Sequence, residues 1–178
     1  MPIAVPDALE RARRVRLMAF DVDGVLTDGR LWYGPSGESL KAFCVHDGLG
    51  LKMLAASGVV LALLTSRSSQ AVAIRAAELG IAHLVQGAQD KYRAFAALLE
   101  RLAIEPQQAG YMGDDLPDLP VLRRCGLACA PREAMQIVRQ HAHYVTSAGA
   151  GAGAAREVCE FVLQAQGRLE GALAAYLS

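Results

Sequence analysis

The sequence predicts an α/β protein built on one doubly wound parallel sheet. Apolar segments of strand length alternate with helical segments from residue 15 to residue 166, which is typical of repeated βα units. Polar residues directly follow several of these strands, and ligands bind at the carboxyl ends of strands in such sheets. The 178 residues suffice for a sizeable core, so we expect a single domain over residues 1–178.

Composition and charge narrow the possible partners. Hydrophobic residues make up 53% of the chain and aromatic residues 6%, so the core is expected to be mainly aliphatic. The formal net charge is zero, which favours neither nucleic acid nor an acidic membrane surface as a partner.

The four cysteines and the N-terminal segment indicate a cytoplasmic protein. Cys44, Cys125, Cys129 and Cys159 follow neither a CxxC nor a zinc-ligand pattern, so they are predicted to be reduced and mostly buried thiols. Charged residues run through Arg16 and leave no apolar centre for a signal peptide. No apolar run approaches the roughly 18 residues of a membrane span.

The spacing of apolar and turn residues gives the order of the elements. The predicted strands lie at 17–20, 59–64, 81–85, 109–112, 127–130 and 143–145. The predicted helices lie at 6–14, 46–57, 71–79, 90–102, 119–125, 133–141 and 156–166. Residues 147–155 are nearly all Gly and Ala, which predicts a flexible loop that closes on a ligand or serves as a linker. Residues 167–178 are expected to form a mobile tail.

Residues 28–44 are predicted to form a hairpin that projects from this sheet. Two short strands at 30–33 and 40–45 flank the turn signal GPSGE at residues 34–38. Leu31, Trp32 and Tyr33 place large apolar side chains on it. The hairpin is expected to be a flap over the site or a surface for other subunits; packing against its own domain is an equal alternative.

Asp21 and Asp23 follow the first strand and are followed by Gly24. On an extended backbone, residues i and i+2 point to the same side, so the two carboxylates are expected to project together. Two carboxylates that close repel unless a cation or a shared proton lies between them, and oxygen ligands suit Mg²⁺. An isolated Asp-x-Asp is more often a solvated loop, but here polar residues follow later strands too.

Thr65, Lys91, Asp114 and Asp115 are those later polar residues. The hydroxyl cluster that begins at Thr65 is either a phosphate seat or an ordinary helix cap. A lysine in the first turn of a helix opposes the helix dipole, so Lys91 is either a chance surface residue or is held by an anion. Together these groups suit phosphoryl transfer through an aspartyl-phosphate.

The whole pattern resembles the haloacid dehalogenase superfamily of phosphatases. The resemblance is carried by DVDGVLTD at residues 21–28, then by Thr65, Lys91 and GDD at residues 113–115, in the superfamily's order and spacing. Only a hairpin and a helix separate the first two motifs, so the chain resembles the capless subgroup, with a Rossmann-like sheet and no cap domain. Over nearly its whole length it is similar to the 3-deoxy-D-manno-octulosonate 8-phosphate (KDO 8-phosphate) phosphatases. Further matching stretches are DGLG at 47–50, GDDLPD at 113–118, AREVC at 155–159 and QAQG at 164–167.

The resemblance implies a role for each polar residue. Asp21 is the nucleophile and a Mg²⁺ ligand. Asp23 protonates the leaving alcohol, then activates water, and offers its backbone carbonyl to the metal. Asp114 completes the metal ligands and Asp115 supports them. The residues implied to hold the phosphate oxygens are Thr65 and Lys91.

The resemblance also implies a substrate site and an assembly. The implied substrate-binding residues are Asp23, Cys44, Val45, His46, Asp47, Gly48, Lys52, Arg67, Arg75 and Lys91. The substrate is a sugar-acid phosphate used in lipopolysaccharide precursor synthesis. The enzyme is implied to be a homotetramer whose hairpins form a central β-barrel and whose C-terminal tail reaches a neighbouring active site.

Two positions depart from this pattern, and both remove positive charge. His46 stands where the family usually has Arg, and Ala152 stands where the glycine-rich loop usually has Lys or Arg. His46 either contacts the ligand or simply begins a helix. A phosphatase for a nonulosonate 9-phosphate is therefore one alternative. A non-catalytic tetramerisation module is another, which the intact acidic motif disfavours, as the early position of Asp21 disfavours a phosphoacceptor receiver domain.

Overall fold

A computed structural model of the chain describes residues 2–35, 37–174 and 176–177. The strands in chain order are β1 Ile3–Ala4, β2 Leu17–Phe20, β3 Trp32–Gly34, β4 Gly37–Leu40, β5 Val60–Leu64, β6 His83–Val85, β7 Ala109–Met112, β8 Leu127–Ala130 and β9 Tyr144–Val145. The α-helices are α1 Ala8–Arg13, α2 Val45–Ala56, α3 Gln70–Glu78, α4 Lys91–Leu102, α5 Leu119–Leu122, α6 Gln136–His141, α7 Ala154–Ala165 and α8 Leu169–Ala174. Short 3₁₀ turns at Pro106–Gln108 and Leu116–Asp118 flank β7.

The main sheet has seven strands in the order β1-β9-β8-β7-β2-β5-β6. Its pairs are parallel except at one edge, where β1 runs antiparallel to β9. The predicted doubly wound parallel sheet is confirmed, whereas the antiparallel edge strand was not predicted. A run of two exposed residues carries too little pattern to indicate a strand.

Both faces of the sheet are covered, because alternate residues of each strand enter different layers. In β2, Leu17 and Ala19 pack against the layer formed by α4, α5 and α6. Met18 and Phe20 enter the opposite layer, which is formed mainly by α1, α2, α3 and α7. All four residues of β2 are buried, which explains why its sequence shows no polar alternation.

The register places the carboxyl ends of the central strands β2, β5 and β7 side by side at one edge of the sheet. Phe20 lies opposite Leu63 of β5 and Met112 of β7. The polar residues that follow these three strands therefore emerge side by side at the carboxyl edge of the sheet.

The predicted hairpin is confirmed, but its second strand was misplaced. The strand was expected at 40–45, whereas β4 ends at Leu40 and α2 begins at Val45. Residues 41–44 lead inward instead, because the Lys41 side chain turns toward the main sheet and is buried. The hairpin side chains Trp32, Tyr33 and Leu40 are 58%, 65% and 67% exposed, so most of their surface is not covered by their own domain.

The glycine-rich loop is held in place by hydrogen bonds. Gly151 donates its N–H to the carbonyl of Val25 at 3.0 Å. The carboxylate of Glu157 accepts backbone N–H bonds from Ser147 and Ala148, each at 2.9 Å. These bonds fasten the loop beside the turn that follows β2, and α7 begins two residues earlier than predicted.

Two segments differ in secondary structure from the sequence prediction. The expected mobile tail contains α8, whose Leu169 and Leu173 pack against the core; Ala175 and Ser178 lie outside the described residues. The helix expected at 119–125 ends at Leu122. No helix of the described part of the chain is long and apolar enough to cross a membrane.

Candidate active site

The turn after β2 places Asp21 against the turn after β7. Asp21 is buried, and its N–H bonds the Met112 carbonyl at 2.9 Å, which continues the ladder between the two strands. Gly24 has a φ of +84°, and a Cβ built on it would lie 2.1 Å from Asp114 Oδ2. Only glycine fits there, because the position requires both a left-handed backbone and an empty side-chain volume.

Lys91 lies between two buried carboxylates. Its Nζ is 2.7 Å from Asp21 Oδ2 and 2.6 Å from Asp118 Oδ1. Burial alone would lower the pKa of Lys91, but the carboxylates of Asp118 and Asp21 raise it above its ordinary value. The ammonium is therefore charged and fixed beside the predicted nucleophile.

Asp118 is the residue that sequence reasoning missed. It is fully buried, and its Oδ1 also accepts a hydrogen bond from the Tyr111 hydroxyl at 2.7 Å. Its Oδ2 accepts the backbone N–H groups of Asp114 at 3.0 Å and Asp115 at 3.2 Å. Asp118 thus holds Lys91 and the turn that carries Asp114. A carboxylate three to four residues after Asp115 and Asp114 was the available signal, since that spacing lets it accept their backbone N–H groups and cap the turn.

Asp114 completes a compact group of carboxylates. One oxygen each from Asp21, Asp114 and Asp118 lie within 4.8 Å of one another. Burial, and then the charge of Asp118, raise the pKa of Asp114 to about 8 and that of Asp21 to about 7. Asp114 Oδ1 is buried and has no hydrogen-bond partner among the described residues. A hard divalent cation such as Mg²⁺ fits this oxygen-only set, because it would satisfy that oxygen and offset the surplus negative charge.

The Asp23 side chain lies apart from this group. Its Oδ1 forms an ion pair with the ammonium of Lys41, and its Oδ2 is 3.8 Å from Arg67 Nε. Arg67 also donates to the Tyr33 hydroxyl of the hairpin at 2.9 Å. The predicted metal role of Asp23 concerned its backbone carbonyl and stays a prediction. Lys41 and Tyr33 were not predicted, because nothing local indicates that they reach the site.

Thr65 and Asp115 occupy opposite environments. Thr65 is buried at the end of β5, and its Oγ1 accepts the Arg67 N–H at 3.3 Å. Asp115 is exposed, and its carboxylate accepts the N–H of Leu116 at 2.7 Å, which starts the 3₁₀ turn. Ser69 lies at the start of α3 but makes no side-chain cap bond.

An open cavity of about 250 Å³ connects these residues. Its lining includes Asp21, Asp23, Thr65, Arg67, Lys91, Asp114, Asp115 and Asp118. The structure thus brings together every residue that was predicted to act on the phosphate or the metal.

Most of the predicted sugar-binding residues do not line this cavity. Asp47 is buried and accepts the backbone N–H groups of Gly153 at 3.2 Å and Arg156 at 2.8 Å, so it joins α2 to α7. Arg75 packs over the Phe43 ring and beside Gly48. The other members of the set outside the cavity are Cys44, Val45, His46 and Lys52. Within one chain, only Asp23, Arg67 and Lys91 of that set reach the phosphate residues.

Comparison with known proteins agrees with this geometry. Residues 50–158 match the haloacid dehalogenase-like hydrolase family. The chain therefore belongs to the haloacid dehalogenase-like hydrolases, and within them it is a phosphomonoester hydrolase. It is 46% identical to the 3-deoxy-D-manno-octulosonate 8-phosphate phosphatase KdsC of Salmonella typhimurium over 93% of this chain and 88% of that protein. The phosphatase of the same name from Yersinia pestis is also 46% identical, over 96% of this chain and 91% of that protein.

A solved structure of a similar phosphatase contains bound ligands. The 3-deoxy-D-manno-octulosonate 8-phosphate phosphatase of Moraxella catarrhalis was crystallised with a magnesium ion, a phosphate ion and KDO. It superimposes on this chain with a TM-score of 0.93 at 42% identity, and covers 96% of this chain and 98% of its own. The predicted fold, without a cap domain, is thereby confirmed.

Proposed function

We propose that this enzyme hydrolyses KDO 8-phosphate to the free sugar acid and inorganic phosphate, in a Mg²⁺-dependent reaction through an aspartyl-phosphate at Asp21. The observation that carries the proposal is the buried Lys91, which fixes the nucleophilic carboxylate within an acidic, metal-suited group. The names of the similar phosphatases supply the substrate. We infer that the reaction takes place in the cytoplasm, as a step of lipopolysaccharide precursor synthesis.

In the first step, a carboxylate oxygen of Asp21 attacks phosphorus and the bond from phosphorus to the sugar oxygen breaks. Lys91 and the Thr65 hydroxyl hold phosphate oxygens, and Asp23 gives a proton to the leaving oxygen. Mg²⁺, held by the carboxylates of Asp21 and Asp114 and the backbone carbonyl of Asp23, supplies charge neutralisation on the phosphoryl group.

In the second step, water attacks the phosphorus of the aspartyl-phosphate. Asp23, now ionised, takes a proton from that water, and the bond between phosphorus and Asp21 breaks to release inorganic phosphate. Asp23 is thereby reprotonated and Asp21 is restored as a carboxylate, so the cycle is balanced. One residue serves as acid and then as base, because each step leaves it in the protonation state that the next step needs.

A homotetramer is part of the proposal, because a single chain offers an incomplete sugar site. Val45 is 73% exposed, and His46 and Lys52 are also exposed, away from the phosphate cavity. Trp32 and Leu40 expose apolar surface on the hairpin, which suits a subunit contact. In the assembly, a neighbouring subunit completes the binding of the sugar acid.

Phosphate release from a panel of esters tests the function. KDO 8-phosphate, a nonulosonate 9-phosphate and glucose 6-phosphate are each assayed with Mg²⁺ and with EDTA. Asp21→Asn protein, purified identically, controls for contaminating phosphatase. We expect fast, Mg²⁺-dependent release from KDO 8-phosphate and none from the Asp21→Asn protein.

The nonulosonate 9-phosphate is the second candidate substrate, because His46 and Ala152 each replace a cation. Faster phosphate release from that ester would make it the preferred substrate and would leave the proposed mechanism unchanged. Release from no phosphomonoester at all would contradict the proposed function.

A further inference from the structure

We propose that Lys41 is a positioning residue for Asp23, fixing one carboxylate oxygen so that the other transfers the proton; this rests on the proposed role of Asp23 as acid and base. The Lys41 side chain is 1% exposed, and its ammonium forms an ion pair with Asp23 Oδ1. Lys41 directly follows β4, so this contact also joins the hairpin to the site.

Burial of Lys41 is difficult to explain by stability alone. Removing an ammonium and a carboxylate from water costs about as much as their attraction returns, so a buried ion pair is weak evidence of a stabilising role. One ion-pair partner of Lys41, Asp23, is the carboxylate that exchanges protons in the proposed reaction.

The two oxygens of Asp23 have different surroundings. Oδ1 is held by Lys41, whereas Oδ2 is buried without a hydrogen-bond partner among the described residues. The Nε of Arg67 is 3.8 Å from Oδ2, which is too far for a hydrogen bond. Asp23 lines a cavity that also contains Asp21 and Lys91. The geometry therefore assigns anchoring to Oδ1 and proton transfer to Oδ2.

The proposed role of Lys41 predicts different effects on substrates that have different leaving groups. A sugar alcohol needs a proton from Asp23 as it departs, whereas p-nitrophenolate departs without one. A residue that positions the acid must therefore matter for the sugar phosphate and much less for p-nitrophenyl phosphate. A residue that only maintains the fold or binds phosphate affects both substrates equally.

The experiment compares kcat/KM for KDO 8-phosphate and p-nitrophenyl phosphate in the wild type and in Lys41→Met, Lys41→Arg and Arg30→Met. Arg30 is the matched control, since it is an exposed cation beside the hairpin that contacts Asp28. For Lys41→Met we expect about a 100-fold loss with the sugar phosphate and less than about a 5-fold loss with p-nitrophenyl phosphate. Lys41→Arg should recover most of the loss, and Arg30→Met should show none.

Equal losses on both substrates, or no loss on either, would overturn the assignment. If Lys41→Met folds poorly, Lys41→Gln replaces it and is compared in the wild-type and Asp23→Asn backgrounds, because a positioning residue adds no further loss once the acid is absent. A wild-type enzyme that prefers another sugar phosphate contradicts only the proposed substrate, and the Lys41 comparison is then made with that ester.

Discussion

Lys91 occupies a position that its helix disfavours, at the first residue of α4. Asp90 offsets part of this cost, because its side chain caps the helix by accepting the Arg93 N–H at 2.9 Å. The larger compensation comes from the two carboxylates that flank the ammonium. The alternative of a chance surface lysine is therefore wrong, and the cation that the sequence left unexplained belongs to the site.

The hydroxyl of Tyr111 stabilises the buried group formed by Lys91 and its two carboxylates. It donates to Asp118, and both residues are buried. Tyr111→Phe removes only that donor, so the free energy of unfolding should fall by about 2 kcal/mol, the usual size of a hydrogen bond to a charged group. Urea denaturation at pH 7 measures the change.

Tyr92→Phe is the matched control for that measurement. Tyr92 lies on α4 and is 38% exposed. Its substitution should leave the free energy of unfolding nearly unchanged. Equal effects of the two substitutions would mean that the Tyr111 hydroxyl does not stabilise the buried group.

For single residues, the sequence indicated the polar residues that follow the central strands. It did not indicate which other polar side chains are buried beside them. Asp21, Asp114 and Lys91 follow or begin elements whose bounds the apolar pattern defines, so their meeting could be predicted. Asp118 caps a local turn, but its contact with Lys91 and the contact of Lys41 with Asp23 join residues distant in the chain. Local spacing says nothing about such contacts, so neither role was predicted.

Among the elements, buried strands were predicted best. The bounds of β2, β7 and β8 match the prediction, because each is a short apolar run ended by Asp, Gly or Pro. Segments whose structure depends on distant packing were predicted worst. Thus the strand β4 was predicted too late in the chain. The helix α8 was not predicted, although its apolar side chains pack against the core.

His143 links the edge strands through a neutral ring. Its Nδ1 accepts the Ala128 N–H at 2.8 Å, and its backbone carbonyl accepts the Val5 N–H at 2.9 Å. Burial, and then the charge of Arg11, lower the pKa of His143 below its ordinary value. A protonated Nδ1 is no longer an acceptor, so protonation opposes this contact.

The contribution of His143 to the stability of the protein should therefore decrease as the pH falls. The unfolded chain takes up the proton first, near pH 6.5, so the contribution of His143 is complete above that pH and is lost below it. His143→Asn keeps an acceptor oxygen that does not titrate, so from pH 7 to pH 5 its stability should fall less, or rise more, than that of the wild type. Urea denaturation across that range tests this, with His141→Asn as the control that retains His143. An unchanged pH dependence in His143→Asn would assign the effect elsewhere.

For the whole molecule, the site divides into two parts. The phosphate part is complete within one chain, since the carboxylates, Lys91 and Thr65 share one cavity. The proposed sugar part is not, because the predicted sugar-binding residues Val45, His46 and Lys52 lie elsewhere on the surface. This division predicts that assembly affects sugar binding more than phosphate chemistry.

Trp32→Glu together with Leu40→Glu tests that consequence. Both side chains are exposed on the hairpin, so the added charges should dissociate the proposed tetramer without disturbing the core. We expect a smaller mass by light scattering and at least about a tenfold increase in KM for KDO 8-phosphate, with p-nitrophenyl phosphate turnover largely kept. Ile74→Glu, on the exposed side of α3, is the matched control and should change neither mass nor KM. A dissociated protein with unchanged KM for the sugar phosphate would contradict this division and show that one chain binds the whole substrate.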